Sequence, residues 1–192
     1  MIIGITGPTG SGKTTLLQLI AAQGGTVLDC DAIYHELLAT DKALLTAIEN
    51  RFPGTVKDDI LDRKALGAIV FSDESALQDL NRITHSAVKA EVLRRLANKP
   101  ALAAIDAIGL FEGDLAVLCD VTVAVTAPEA LRVARLMARD QIPEDYARSR
   151  ISAQHPAEWY TQRCDYTLEN DSTQASFTTK CLAFLAELGI MK

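Results

Sequence analysis

The sequence contains few aromatic residues and few cysteines. Of 192 residues, 5% are aromatic, and the four cysteines, Cys30, Cys119, Cys164 and Cys181, lie far apart without a Cys-x-x-Cys pair. This spacing excludes the usual patterns of zinc sites and redox dithiols, and it is typical of proteins from a reducing compartment. We therefore expect a cytoplasmic protein.

Long apolar runs, a basic leader and an excess of basic residues are missing as well. No apolar segment approaches the roughly 20 residues that cross a bilayer. The first six residues, MIIGIT, have no basic n-region and do not resemble a signal peptide. The net charge is −6, which disfavours binding to nucleic acid through electrostatics alone. The sequence thus predicts neither a membrane nor a nucleic-acid partner.

The composition is that of a folded chain, with 48% hydrophobic and 23% charged residues. A length of 192 residues fits a single domain with room for a small subdomain. The sequence leaves the oligomeric state open, and we expect a monomer or a weak homo-oligomer.

Short apolar runs alternate with helical patterns along the chain. The predicted strands are 2–6, 26–29, 101–105, 121–125 and 166–168, and predicted helices include 13–22, 32–39 and 175–188. Strands separated by helices indicate right-handed crossovers and a parallel sheet. The prediction is a three-layer α/β fold with a parallel five-stranded sheet.

A long segment, 41–98, has a helical pattern throughout, with breaks at 53–54 and near 71–72. We predict it to be a helical insertion. Asp62 is expected to cap one of its helices. Farther along, residues 126–129 have the spacing of a capping box for the next helix.

The strongest motif is GPTGSGKT at 7–14, which matches G-x-x-x-x-G-K-[ST] at every fixed position. Such a loop curls so that backbone N–H groups hold phosphates at a helix N-terminus. The lysine supplies a charge for the β- and γ-phosphates, and the hydroxyl after it can bind Mg²⁺. The predicted ATP-binding residues in this segment are Gly7, Thr9, Gly10, Ser11, Gly12, Lys13, Thr14 and Thr15.

A GTPase is excluded by other residues. Residues 106–109 fit D-x-x-G, and 98–101 begin like N-K-x-D. However, the two motifs stand in the wrong order, and Ala101 replaces the aspartate that would recognise guanine.

Three aspartates stand at the ends of predicted strands, where open α/β sheets bind ligands. Asp31 can accept a proton from an attacking hydroxyl or orient it, although it can equally be a helix N-cap. Asp29 is the weaker candidate, because an acid at a strand end often holds the neighbouring loop. Asp106 can hold Mg²⁺ together with Thr14, or it can cap a loop.

Three arginines, Arg132, Arg135 and Arg139, share one face of a predicted helix. They form either a solvated face or part of a lid that closes over phosphates and excludes water. The polar turn that follows and the next helix favour a lid at about 139–157, with Arg139 as its catalytic arginine.

Several segments together resemble the dephospho-CoA kinase family. They are VLDCD at 27–31, ITH at 83–85, Asp106 with LFE at 110–112, RLMARD at 135–140 and CDYTLEN at 164–170. Their order and spacing make the resemblance specific, and it extends from the phosphate loop nearly to the C-terminus.

The resemblance implies a P-loop small-molecule kinase that uses ATP and Mg²⁺ and phosphorylates the ribose 3′-hydroxyl of dephospho-CoA, the last step of coenzyme A synthesis. It implies Asp31, Lys13 and Arg139 as catalytic residues and adds Arg139 and Asn170 to the ATP site. For the acceptor it implies the following residues: Asp31, His35, His85 and Asp106.

The chain departs from the family pattern at a few positions. His35 stands where arginine is usual, and Ser86 and Ile108 replace prolines. Two alternatives therefore stay open: a kinase for another small metabolite, such as a nucleotide or a sugar acid, and an ATP-binding module without catalysis.

Overall fold

The computed structural model describes residues 1–191, which divide into two compact units. The first, the sheet unit, comprises Met1–Leu28, Pro100–Leu110 and the chain from Leu115 onward. The second, the helical unit, comprises Asp29–Lys99 and Phe111–Asp114. The segment 41–98 lies inside the helical unit, which begins earlier, at Asp29.

The elements follow one another in a βα pattern that a helical segment interrupts. In chain order they are β1 (Ile2–Thr6), α1 (Lys13–Ala22), β2 (Thr26–Asp29), α2 (Cys30–Thr40), α3 (Lys42–Arg51), β3 (Val56–Lys57), β4 (Ile60–Leu61), α4 (Arg63–Val70), α5 (Glu74–Leu96), β5 (Ala103–Asp106), β6 (Val121–Thr126), α6 (Glu129–Asp140), α7 (Glu144–Ser152), α8 (Ala157–Thr161), β7 (Tyr166–Glu169) and α9 (Gln174–Glu187).

The main sheet has five strands in the order β2-β5-β1-β6-β7. The central strand, β1, pairs in parallel with β5 and β6, and β6 pairs in parallel with β7. The predicted five-stranded sheet is confirmed. Because β1, β5, β6 and β7 run in parallel, the segments after them leave the sheet at the same edge.

The core of the sheet unit forms where α1 and α9 cover one face of the sheet. Ile3 and Ile5 of β1 are fully buried against the apolar sides of both helices. On α9 the buried residues recur at helical spacing, which is why this helix turns one face to the sheet; they are Phe177, Cys181, Phe184 and Leu185.

The helical unit has its own core, formed by residues of α2, α3, α4 and α5. Its fully or nearly fully buried members include Ile48, Phe52 and Leu66. Aspartates begin four helices here by accepting hydrogen bonds from backbone N–H groups of the first turn; they are Asp29, Asp41, Asp62 and Asp73. The prediction for Asp62 is confirmed.

Two local predictions are wrong. Residues 56–61 form the hairpin β3–β4 instead of helix, because Asp58 and Asp59 adopt left-handed φ values of 51° and 60°, which favour a tight hairpin turn. The expected capping box is also absent: Thr126 is the last residue of β6, and α6 has Pro128 at its N-cap with no side-chain cap.

The helices α6 and α7 pack against each other in the sheet unit. Val133 and Leu136 of α6 meet Ala147 and Ile151 of α7 in a small apolar cluster. Across residues 1–191, none of the helices has the length and apolar character that a membrane crossing requires.

Candidate active site

The glycine-rich loop connects β1 to α1, as its motif requires. Helix α1 begins at Lys13, and Gly12 precedes it with a φ of 102°. A Cβ atom at Gly12 would stand 2.3 Å from Nδ2 of Asn170. Glycine is needed here for its backbone conformation and for this close approach.

The outer side of the loop is held through its carbonyl oxygens. Asn170 donates from Nδ2 to the Ser11 carbonyl over 2.8 Å. Arg135 donates from Nη1 to the carbonyls of Gly10 and Ser11, over 3.2 and 3.3 Å, and from Nη2 to Oδ1 of Asn170 over 3.0 Å. Arg135 and Asn170 thus form one network against the loop backbone.

This network shows what sequence reasoning missed. Arg135 does not lie on a solvated helix face, and Asn170 is 2% exposed and packed behind the loop. Arg132 is similarly buried, at 5% exposed. The spacing of the arginines was the available signal, but it does not reveal which side of α6 meets the loop.

Lys13 and Thr14 lie at the first turn of α1. Nζ of Lys13 donates to the Gly7 carbonyl over 3.0 Å, and Thr14 is exposed. The hydroxyl of Thr15 accepts from Nε2 of Gln174 over 2.7 Å. Ser11 is fully buried, and within the described part of the chain its hydroxyl oxygen has no hydrogen-bond partner.

The residues suited to a magnesium ion are hard oxygen donors. Thr14 offers an exposed hydroxyl, and Asp106 offers a half-buried carboxylate at the end of β5. Mg²⁺ in phosphoryl-transfer sites is held by one or two such protein oxygens together with phosphates and water. The donor chemistry of this pair fits the ion.

Arg139 has surroundings unlike those of the other two arginines on α6. Its side chain is 60% exposed and forms a two-pronged contact with Asp140, with Nε–Oδ1 at 2.7 Å and Nη2–Oδ2 at 2.9 Å. Nη1 of Arg150 also donates to Asp140 Oδ2, over 2.5 Å. The hydrogen bonds from Arg139 and then Arg150 lower the pKa of the Asp140 carboxyl, and Asp140 in turn raises the pKa of Arg139.

In the helical unit, the aspartates at 29 and 31 have different surroundings. Oδ1 of Asp29 accepts from the backbone N–H groups of Asp31 and Ala32, over 2.9 and 3.0 Å, so Asp29 is the N-cap of α2. Asp31 lies in the first helical turn and is exposed. Of the two alternatives for Asp31, the N-cap is therefore excluded.

His35 lies one turn farther along α2, beside an arginine that the sequence did not single out. Nη2 of Arg63 is 3.3 Å from Nδ1 of His35. A guanidinium therefore lies beside His35, although position 35 itself carries no arginine.

The third predicted acceptor residue of this unit, His85, lines an open cleft of about 440 Å³. Its Nδ1 is 3.3 Å from the carbonyl oxygen of Glu112, and Lys89 forms an ion pair with Asp114 in the same cleft. The cleft is lined by a polar stripe of α5 and a short loop: Gln78, Asn81, Arg82, His85, Ser86, Lys89 and residues 112–114.

Comparison with known proteins gives a consistent result. The family described as dephospho-CoA kinase matches residues 1–176. A protein from Anaeromyxobacter dehalogenans named dephospho-CoA kinase is 36% identical over 193 aligned residues, covering 97% of this chain and 92% of the relative.

Two solved structures resemble the chain over almost its whole length. A protein from Thermus thermophilus has a TM-score of 0.82 and 34% identity, covering 98% of this chain and 97% of its own. The dephospho-CoA kinase from Campylobacter jejuni has a TM-score of 0.66 and 24% identity, covering 97% and 96%; at that identity the likeness concerns the fold.

Proposed function

The chain belongs to the dephospho-CoA kinase family, and from this premise we propose that the group it phosphorylates is the 3′-hydroxyl of the ribose in dephospho-CoA. It is a P-loop kinase of coenzyme A biosynthesis and an ATP-dependent phosphotransferase. The observation that carries the proposal is the family match over residues 1–176. The complete phosphate loop at 7–14, set between β1 and α1 as the motif requires, supports ATP as the phosphoryl donor.

The loop binds the phosphates of ATP, and Lys13 supplies the positive charge for the γ-phosphoryl group. In phosphoryl transfer most of the catalysis comes from positioning and from stabilising charge on the transferred group. Lys13 extends from the first residue of α1, and its ammonium group already lies on the loop at the Gly7 carbonyl. When ATP binds, we expect this ammonium group to exchange the carbonyl for a phosphate oxygen.

Mg²⁺ would be held by Thr14 and Asp106, and when bound it neutralises charge on the β- and γ-phosphates. Thr14 is exposed in the first turn of α1, which follows β1, and Asp106 is the last residue of β5, so both residues lie toward the edge of the sheet where these parallel strands end.

Arg139 stabilises the transferring phosphoryl group from the lid. The pairing with Asp140 keeps the guanidinium in one orientation at the C-terminal end of α6. Because a phosphate competes with a carboxylate for the same two-pronged contact, Arg139 exchanges Asp140 for the γ-phosphoryl group during turnover.

Asp31 orients the acceptor hydroxyl and accepts its proton. The carboxylate is exposed and is not used as the helix cap, since Asp29 fills that role. A carboxylate with free lone pairs at a helix start can accept a hydrogen bond from an alcohol in the transition state.

The remaining acceptor residues are His35 with Arg63, His85 and Asp106. The polar cleft around His85 offers hydrogen-bond donors suited to an acceptor rich in phosphate and amide oxygens. We further propose a cytoplasmic enzyme that acts as a monomer or weak homo-oligomer; its four cysteines are free thiols, which fits that compartment.

The acceptor can be identified with the purified protein, ATP and Mg²⁺. ADP formation is measured with dephospho-CoA, with nucleoside monophosphates and with sugar acids, and in the absence of any acceptor. Among these acceptors, we expect only dephospho-CoA to support rapid ADP formation. Robust turnover of another acceptor, without turnover of dephospho-CoA, would replace this proposal by a kinase for that compound.

A variant without the loop lysine tests the role of Lys13 in phosphoryl transfer. Lys13→Ala is expected to lower turnover of dephospho-CoA by several orders of magnitude. If Lys13→Ala keeps activity within a few-fold of the unmodified enzyme, the role of Lys13 is contradicted. If the unmodified enzyme itself binds ATP without transferring phosphate to any acceptor, the protein is a non-catalytic module.

A further inference from the structure

The peptide groups on both sides of Thr9 are held by side chains from outside the phosphate loop. The Thr9 N–H donates to Oε1 of Gln154 over 2.8 Å. The Thr9 carbonyl accepts from Nε of Arg132 over 2.9 Å. All three residues belong to the sheet unit, and Thr9 itself is 8% exposed.

These two hydrogen bonds act on different peptide groups. The Thr9 N–H belongs to the peptide that joins Pro8 and Thr9, and the Thr9 carbonyl belongs to the peptide that joins Thr9 and Gly10. Because C=O and N–H point in opposite directions across a trans peptide, holding the Thr9 carbonyl outward also sets the direction of the Gly10 N–H.

The loop needs such restraints because glycine lowers the cost of rotating its peptides. Gly10 has a φ of 78°, in the region that glycine adopts readily. A Cβ atom at Gly10 would stand 3.0 Å from the Arg132 carbonyl oxygen. The backbone of α6 therefore lies directly against the loop. A residue with a side chain at position 10 would force the loop and α6 apart.

Arg132 is buried in a way that requires explanation. Arg132 is only 5% exposed, and its Nη2 has no hydrogen-bond partner among residues 1–191. Burial lowers the pKa of its guanidinium. Burying a charged group with incomplete pairing costs stability, so the contact with Thr9 is a specific use of this residue instead of a by-product of good packing.

Gln154 reaches the loop from the segment just after α7. It is half-buried, and α7 packs on α6 through the apolar cluster described above. The two side chains on Thr9 therefore come from consecutive parts of the helical pair that contains Arg139.

We propose that Arg132 and Gln154 are positioning residues of the phosphate loop, which grip the Thr9 peptide groups from both sides and thereby orient the loop for the phosphates of ATP. Orienting the loop before ATP arrives reduces the ordering cost of binding. The proposal rests on the proposed function in that the bound ligand is ATP. The two residues should affect the binding of the phosphate groups more than the binding of the nucleoside.

The test uses substitutions of matched length. In Arg132→Gln the amide Nε2 is separated from the backbone by the same number of bonds as Nε of arginine, so one N–H donor is retained. Arg132→Met has the same length without a donor, and Gln154→Met removes the acceptor. Arg94→Met and Gln162→Met are controls, since Arg94 pairs with Glu91 on α5 and Gln162 is exposed.

The readouts are dissociation constants for ADP and adenosine, KM values for ATP and dephospho-CoA, and the melting temperature. We expect Arg132→Met and Gln154→Met each to weaken ADP binding and raise KM for ATP about tenfold. Adenosine affinity and KM for dephospho-CoA should change less than twofold. Arg132→Gln should recover most of the ADP affinity, and the controls should match the unmodified enzyme in ADP and adenosine affinity and in both KM values.

A merely structural role would give a different pattern. The inference is overturned if ADP and adenosine affinities fall together, if Arg132→Gln behaves like Arg132→Met, or if ADP affinity is unchanged in both methionine variants. If Arg132→Met does not fold, the glutamine variant and Gln154→Met decide the same question. Absence of ADP binding or transfer by the unmodified enzyme would instead refute the proposed function.

Discussion

Asp29 and Asp31 are separated by one residue, yet their carboxylates serve different purposes. Asp29 accepts two backbone hydrogen bonds and begins α2, so its charge is committed to the fold. Asp31 lies exposed in the first turn, where its negative charge also interacts favourably with the helix N-terminus. Their separate roles can be distinguished by mutation.

We predict that Asp29→Ala lowers the free energy of unfolding by about 1 kcal/mol, the usual cost of losing an N-cap. Asp31→Asn should leave that free energy within about 0.5 kcal/mol and lower kcat by roughly 10²–10⁴. Urea titration and steady-state kinetics measure the two effects. A large loss of stability with normal turnover in Asp31→Asn would contradict the assignment.

For Arg139 we predict that substitution by alanine lowers kcat roughly 10²–10³-fold and changes the dissociation constant for ATP only a few-fold. The reason is that the guanidinium is paired with Asp140 in this structure and meets phosphate only as charge develops on it. Pre-steady-state kinetics with direct nucleotide titration separates the two quantities. An effect confined to ATP binding would mean that Arg139 acts in the ground state.

Individual residues were predictable from sequence where the chemistry is local. The cap at Asp62 and the loop at 7–14 depend on their immediate neighbours, and both are present. The inward position of Arg132 was not predictable, because it depends on how α6 packs against the loop. Asn170 was assigned to the ATP site only through the family resemblance, and its hydrogen bond to Ser11, 159 positions away in the sequence, was not predictable from local patterns.

At the scale of elements, α5 is notable for an ion-pair network near its C-terminal end. Glu91 accepts from Arg94 and Arg95, one turn farther along, and Arg95 also reaches Glu36 of α2. The Glu91 side chain is only 11% exposed. Hydrogen bonds from Arg94 and then Arg95 lower the pKa of Glu91 from 4.5 to about 2.

The network predicts a pH-dependent contribution to stability. Because the pKa of Glu91 is lower in the folded state, its contribution is complete above pH 4.5 and disappears as the pH falls toward 2. Glu91→Gln should therefore destabilise the protein by roughly 1 kcal/mol near pH 7, and the difference from the unmodified protein should shrink below pH 4.5.

Denaturant titrations at several pH values measure this difference, with Glu74→Gln as the control, since Glu74 is an exposed residue in the first turn of the same helix. A difference between Glu91→Gln and the unmodified protein that stays constant from pH 7 to pH 3 would refute the assignment.

Elements were predicted well where an apolar segment has a clear end signal. The bounds of β1, α1 and β2 match the prediction, because each contains apolar residues and has a glycine or aspartate at its end or within two residues after it. The hairpin β3–β4 was missed, since strands of two residues are too short for a period and are defined by the turn between them.

At the scale of the whole molecule, each compact unit contains a different part of the proposed chemistry. The sheet unit includes the phosphate loop, Asp106 and Arg139, and the helical unit includes Asp31, His35 and His85. The α/β class was predictable from the alternation of strands and helices, and the predicted insertion at 41–98 lies within the helical unit. The start of the helical unit at Asp29 was not, because α2 has the same pattern as a crossover helix.

The most direct test of the account is the position of the phosphoryl group in the product. The enzyme is incubated with ATP, Mg²⁺ and dephospho-CoA, and the product is examined by phosphorus–proton correlation NMR. The account predicts a new phosphate monoester coupled to the ribose 3′ proton, formed by the unmodified enzyme and almost absent with Lys13→Ala. A phosphate at another position, or free phosphate without a new ester, would contradict it.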